Sequence, residues 1–228
     1  MGKDLWEMGK DLSKVRIIDW NCRFHRGIVN NQTFNVFMQK NNDEISKKMA
    51  RVLSIDIGKG NYALCAVSLP EVHVQRLECW RLGETKATPA SQLIDRLLDH
   101  FKDWDLWSTG WSPDVVLIEQ QVRGAHINLA LAFATYAHMK TRFPRATVRF
   151  VKPASKFKAF SKIVSLTDQV LCARVQNMAS LTYAKRKRLA VDIAEAILRE
   201  KKQPDLTLHC PGTKKDDLAD AFLQSFCN

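Results

Sequence analysis

Apolar and polar residues follow regular patterns only from about residue 49 onwards. Five apolar segments with strand-like periodicity, bounded by glycine, proline or charged residues, predict β-strands over 51–57, 61–69, 72–80, 115–119 and 147–151. The turn at 58–60 and Pro70 separate the first three strands by short connections, so these three are expected to form an antiparallel meander.

Helical periodicity follows the meander. Apolar residues at helical spacing predict helices over 91–104, 125–139, 183–202 and 214–226. The helix over 125–139 is rich in alanine, which allows a close approach to another helix or to the sheet. The segment 161–180 has ambiguous periodicity, and its structure is left open. Strands interleaved with helices indicate the α/β class.

Two groups of residues are assigned to packing. The tryptophans of the connection before the fourth strand, Trp104, Trp107 and Trp111, are interpreted as apolar anchors under a loop in preference to base-stacking platforms. His126 and His138 fall in the second helix, where histidines commonly serve surface or packing roles, and we assign them no catalytic role.

The first 48 residues differ from the rest of the chain. They mix asparagine-rich and charged segments without sustained periodicity, and we expect an N-terminal extension whose order is left open. Residues 49–228 are expected to form one folded domain, with Met49 as an alternative start.

Composition indicates a folded basic protein. The 228 residues carry a formal charge of +11 with a pI near 9.5, and 46% of them are hydrophobic. A disordered basic tail lacks that apolar content. A polyanionic partner is therefore expected, with nucleic acid ahead of an acidic membrane surface.

Cysteine usage and hydropathy indicate a soluble intracellular protein. The six cysteines show no CxxC pair or regular spacing, which favours reduced thiols and disfavours a zinc site: Cys22, Cys65, Cys79, Cys172, Cys210 and Cys227. No apolar run reaches membrane-spanning length, and the N-terminus lacks a secretory signal pattern.

Four carboxylates occupy unusual positions for their residue type. Asp56 ends the first apolar strand and Glu119 ends the fourth, where an unpaired acid is costly. Asp217 and Asp220 lie three residues apart in the last helix and so share one face. Taken singly, each acid also fits a turn, ion-pair or helix-start role. Together they predict a site for hard divalent cations, which prefer oxygen ligands.

The motifs that contain these acids, SIDIGKGN, VVLIEQQ and KKDDLADA, resemble those of the RuvC-like Holliday-junction resolvases, most closely the branch of poxviruses and other large DNA viruses. The resemblance spans about Met49 to the C-terminus. It implies a ribonuclease-H-like mixed five-stranded sheet, three antiparallel strands followed by two parallel ones, flanked by helices. In that plan strands one and four are neighbours and the last helix packs across their ends.

The resemblance also implies an activity. The chain is expected to be a magnesium-dependent endodeoxyribonuclease that acts as a homodimer and nicks opposed strands of a four-way DNA junction. Asp56, Glu119, Asp217 and Asp220 would be the catalytic residues and the ligands of two Mg²⁺ ions, with Mn²⁺ as an alternative. If the protein is viral, we expect it in the host-cell compartment where viral DNA replicates.

Ten basic residues are candidates for DNA contact, although a solvated charged surface explains many of them equally well: Lys59, Arg123, Lys152, Lys156, Lys185, Arg186, Lys187, Arg188, Lys214 and Lys215. The run 185–188 opposes the macrodipole at a helix start, which favours a bound anion. Asp216 fits the motif spacing less well than Asp217 and is assigned a helix-capping role.

Three alternative functions stay open. Another ribonuclease-H-like nuclease, such as one that cleaves RNA:DNA hybrids, shares the same metal chemistry. An actin-like or sugar-kinase-like ATP-binding protein has a similar first phosphate loop, but it needs two such domains. A non-catalytic DNA-binding protein with this fold would not need all four acids.

Overall fold

The computed structural model describes residues 49–83, 87–156, 169–203 and 215–227. The predicted extension over 1–48 lies outside the described residues. The elements are β1 (Ala50–Asp56), β2 (Tyr62–Leu69), β3 (His73–Trp80), α1 (Ala90–Asp103), β4 (Val115–Glu119), α2 (His126–Arg142), β5 (Thr147–Val151), α3 (Gln169–Gln176), α4 (Tyr183–Glu200) and α5 (Lys215–Gln224).

The five strands form one mixed sheet in the order β3-β2-β1-β4-β5. β1 pairs antiparallel with β2, and β2 with β3, whereas β1–β4 and β4–β5 are parallel pairs. The predicted sheet of three antiparallel and two parallel strands is therefore confirmed. Ile55 of β1 lies opposite Ile118 of β4, which brings the carboxyl ends of both strands to the same edge.

Residues of β1 alternate between two hydrophobic cores. Leu53 and Ile55 belong to the core that also contains buried residues of α1 and α2. Val52 belongs to the opposite core, which contains buried residues of α4 and α5. Because side chains alternate along a strand, Asp56 shares its face with Val52. The acid at the end of β1 is thereby placed on the side of α4 and α5.

The core under α1 and α2 is rich in aromatic rings. Trp104 packs edge-on against Trp80 at 5.4 Å between ring centroids, and Trp107 packs against Trp104 at 4.5 Å. The Trp107 indole N–H donates to the carbonyl of Phe101 at 2.7 Å. The predicted packing role of Trp104 and Trp107 is confirmed.

The helices α1 and α4 begin in different ways. α1 begins at Ala90 and has no side-chain capping bond, whereas the Thr182 hydroxyl accepts from the Lys185 backbone N–H at the start of α4. Part of the segment left open, 169–176, is helical. Among the described residues, no helix combines the length and hydropathy needed to cross a membrane.

Candidate active site

The carboxylates of Asp56 and Glu119 meet at the shared edge of β1 and β4. Their parallel pairing continues up to Ile55 and Ile118, the residues directly before the two acids. The two carboxyl groups are within hydrogen-bonding reach of each other. Two acids that are 63 residues apart in sequence thus form one pair because their strands are neighbours.

Helix α5 brings the second pair of acids. Asp217 and Asp220 are one turn apart, and Gln224 follows Asp220 by one further turn, so the three side chains share a face. The buried Gln224 amide donates to the carbonyls of Ile55 at 3.0 Å and Leu117 at 3.1 Å. These bonds attach α5 to both acid-bearing strands.

All four predicted carboxylates line one cleft of about 530 Å³. The cleft is also lined by polar and basic side chains, an aromatic ring and glycines: Gly58, Gly60, Asn61, Gln121, Asn128, Lys156, Tyr183, Arg186 and Lys187. The structure therefore brings the four acids to one cavity, with cations beside them.

Lys156 lies among the carboxylates. Its ammonium is 3.0 Å from Glu119 and 3.4 Å from Asp220, and its side chain is only 5% exposed. The sequence around Lys156, basic and broken by Pro153, fits a phosphate contact and a solvated surface charge equally well. The structure instead places this cation inside the acidic cluster.

The pKa values of Asp56 and Glu119 are shifted in opposite directions. Burial, reinforced by the neighbouring Glu119, raises the pKa of Asp56 well above its usual value despite the opposing Lys156 ammonium. Burial alone would also raise the pKa of Glu119, but the hydrogen bond with Asp56 and the Lys156 ammonium lower it. Without metal, these surroundings favour the neutral form of the Asp56 carboxyl group and the ionised form of Glu119.

Asp217 is held by different partners. Its carboxylate accepts from the Asn61 side-chain amide at 2.8 Å, and the Lys187 ammonium lies 3.7 Å away. Lys187 also contacts the carboxylate of Asp216. The sequence predicts a helix-capping role for Asp216. In the structure Asp216 lies inside the described part of α5, and its ion pair with Lys187 links α5 to α4.

Three of the ten basic candidates line the cleft: Lys156, Arg186 and Lys187. Of the other candidates, Lys59 is half-buried in the turn between β1 and β2, Lys214 lies outside the described residues, and the remaining five are exposed and do not line the cleft: Arg123, Lys152, Lys185, Arg188 and Lys215.

The site residues predicted from the sequence do not include the amides that border the acids. The Gln121 side-chain N–H donates to the Glu119 carboxylate at 3.4 Å, and the Asn128 side-chain N–H donates to the Gln121 side-chain carbonyl at 3.2 Å. Gln121 follows Glu119 by two residues, which is a local signal. Asn128 has no such signal, because helix α2 must fold back to bring it to the cleft.

The donor set fits hard divalent cations by its chemistry. Four carboxylates and the side-chain oxygens of Asn61, Gln121 and Asn128 line the cleft, and hard cations bind such oxygens. Among the described residues, no three acidic, histidine or cysteine side chains are arranged as a preformed metal site. Lys156 contacts two of the carboxylates directly, so metal binding would require these side chains to rearrange.

Comparisons with known proteins identify the fold. No family model and no curated protein matches the sequence. The RuvC structure from Thermus thermophilus aligns with a TM-score of 0.50 at 14% identity, covering 78% of this chain and 92% of that one. The T. thermophilus RuvC in complex with a Holliday junction substrate aligns at 0.48 and 16% identity, covering 78% and 91%.

An exopolyphosphatase from Cytophaga hutchinsonii aligns at only 0.33 with 17% identity, covering 50% of this chain and 38% of that one. The likeness to the first RuvC structure shows the fold: the chain has the ribonuclease-H-like fold of RuvC.

Proposed function

We propose that this protein is a metal-dependent endonuclease that cuts four-way DNA junctions. The observation that carries the proposal is the convergence of Asp56, Glu119, Asp217 and Asp220 on one cleft within a RuvC-like fold. The basic composition supports a DNA substrate, and a neighbour of the same fold binds a Holliday junction. Assignment to the branch of large DNA viruses rests on the resemblance of the motifs.

The four acids would hold Mg²⁺ or Mn²⁺. When bound, such a pair of ions activates water and stabilises the leaving oxygen in phosphodiester hydrolysis. Asp56 and Glu119 would serve as ligands in their ionised forms. Arg186 and Lys187, which line the α4 side of the cleft, would bind the phosphates of the scissile strand.

The substrate assay separates the proposed activity from its relatives. Purified protein with Mg²⁺ is incubated with a labelled four-way junction, a linear duplex and an RNA:DNA hybrid. Paired symmetric nicks in the junction are expected, and Asp56→Asn abolishes them whereas Asp99→Asn, at an exposed position of α1, does not. Preference for the hybrid, or equal cutting of linear duplex, rejects the junction assignment.

A homodimer is the second part of the proposal, because cutting two opposed strands of a symmetric junction calls for two active sites. Phe133 of α2 is 62% exposed and packs against Phe150 of β5 at 5.8 Å between ring centroids. Tyr136 stacks on the same Phe150 ring at 5.5 Å. Exposed aromatic clusters of this kind are typical of interfaces.

Sedimentation tests the dimer. The wild-type protein is expected to sediment as a dimer at micromolar concentration, and Phe133→Glu is expected to sediment as a monomer. Leu98→Glu, at an exposed apolar position of α1, is the matched control and should remain dimeric. A wild-type monomer in the presence of junction DNA contradicts the proposal.

A further inference from the structure

A chain of side-chain amides connects the end of β1 to the Glu119 carboxylate. Asn128 donates from its amide nitrogen to the backbone carbonyl of Ile57 at 3.4 Å and to the side-chain carbonyl of Gln121 at 3.2 Å. Gln121 donates from its own amide nitrogen to the Glu119 backbone carbonyl at 3.2 Å and to its carboxylate at 3.4 Å. The three side chains belong to the catalytic cleft.

The first acceptor fixes which atoms donate and which accept along this series of hydrogen bonds. The carbonyl of Ile57 accepts and never donates, so Asn128 must turn its NH₂ group towards it. The second N–H of that group then meets the Gln121 oxygen, which turns the Gln121 NH₂ group towards Glu119. The backbone carbonyl of Ile57 thereby determines that Glu119 faces a donor.

The backbone conformation before α2 places Asn128 within hydrogen-bonding distance of Ile57 and Gln121. Gly124, between β4 and α2, has φ of +98°, a conformation that favours glycine. The chain turns there, and α2 begins at His126, so Asn128 lies in the first turn of the helix. The carbonyl of Ile57 follows directly after Asp56, so one amide group bridges the ends of both acid-bearing strands.

We propose that Gln121 and Asn128 are positioning residues that hold the Glu119 carboxylate in the orientation required for metal binding. This role rests on the proposed function. Partners that orient a metal ligand typically contribute 10- to 100-fold to metal affinity or activity. A side chain that only stabilised the fold would change neither the metal affinity nor the turnover of the folded protein.

Isosteric replacement tests the role. Gln121→Met removes the amide and keeps the size of the side chain, and Asn128→Leu interrupts the chain one step earlier. Gln120→Met is the matched control, because Gln120 is the adjacent exposed glutamine, and its backbone N–H bond to Val151 is unaffected by the side chain. Far-UV circular dichroism and metal-free melting verify that each variant is folded.

Metal binding is measured without DNA, as the rise in Tm on titration with Mg²⁺ or Mn²⁺. Gln121→Met and Asn128→Leu are expected to need about 10- to 100-fold more metal for half the effect, and Gln120→Met to stay within about twofold of wild type. Under subsaturating metal, kcat for the junction should fall by a similar factor with KM unchanged. The double variant should be no worse than the stronger single variant, because both interrupt one chain.

The outcomes distinguish the two proposals. A wild-type protein that shows no metal response and no cleavage overturns the proposed function and this role with it. If the wild-type protein responds to metal and Gln121→Met and Asn128→Leu respond in the same way, the positioning role is overturned and the proposed function is not. A shift in Gln120→Met as large as in Gln121→Met also overturns it, since Gln121 is the glutamine whose side chain donates to the Glu119 carboxylate.

Discussion

The ammonium of Lys156 lies 3.0 Å from a carboxylate oxygen of Glu119, and the Lys156 side chain is only 5% exposed. It also lies 3.4 Å from Asp220. Burial alone would lower the pKa of Lys156, but the surrounding Asp56, Asp220 and Glu119 outweigh burial and raise it. Lys156 is therefore a permanent cation that compensates the buried acids when no metal is bound.

Removal of this cation should destabilise the metal-free protein. Lys156→Met leaves ionised carboxylates buried without their countercharge, which costs about 3–5 kcal/mol for a buried ion pair that loses one partner. Urea unfolding in EDTA measures the loss, and saturating Mg²⁺ should recover part of it. Lys152→Met, at an exposed position four residues earlier, is expected to stay within about 0.5 kcal/mol of wild type. Equal stability of the two variants would contradict the role of Lys156.

The sequence predicted the acids and not their surroundings, for a physical reason. Asp56 and Glu119 interrupt apolar strands, and a carboxylate at a strand end is visible in a local pattern. The strand order implied by the family resemblance brings both acids to one edge of the sheet. The sheet and the acid cluster therefore needed only local patterns and the family resemblance.

Lys156 and Asn128 carry no comparable local signal. Lys156 follows β5 in a basic segment that fits a phosphate contact or a solvated surface equally well, and its burial depends on where α5 places Asp220. Asn128 is one polar residue at the start of a helix. Their contacts join segments that are distant in sequence, and only the folded chain shows which of many polar residues face the acids.

Gly58 is required by a close backbone approach in the turn after Asp56. A Cβ atom at this position would lie 2.7 Å from the carbonyl oxygen of Asn61, whereas one at Gly60 would meet nothing within 4 Å. Gly58→Ala is thus expected to displace the turn and with it the Asn61 amide that contacts Asp217.

Junction cleavage and thermal melting compare the two glycine variants. Gly58→Ala should lower Tm by several degrees and cleavage by at least about tenfold, because small displacements in an active site are costly. Gly60→Ala should remain close to wild type in both measurements. Equal behaviour of the two variants would show that the turn adapts to a side chain at residue 58.

Gln224 should contribute to stability through its two buried hydrogen bonds. Gln224→Met keeps the volume of the side chain but removes the donors to Ile55 and Leu117. The expected loss is about 1–3 kcal/mol in urea unfolding, the range for disrupting buried hydrogen bonds. Gln92→Met, at an exposed position of α1, is the control and should change little. Unchanged stability of Gln224→Met would show that these two hydrogen bonds do not stabilise the attachment of α5.

Arg186 and Arg188 should differ in their effect on DNA, because only Arg186 lines the cleft and Arg188 is exposed outside it. The buried Nε of Arg186 has no hydrogen-bond partner among the described residues, which suits contact with a phosphate.

In an Asp56→Asn background that prevents cleavage, Arg186→Ala is expected to weaken junction binding about tenfold, the order of one charge-assisted hydrogen bond. It should also reduce the slope of log K against log salt by about one. Fluorescence anisotropy over a series of salt concentrations measures both quantities. Arg188→Ala should have the smaller effect, and a larger loss for Arg188→Ala would place the DNA path outside the cleft.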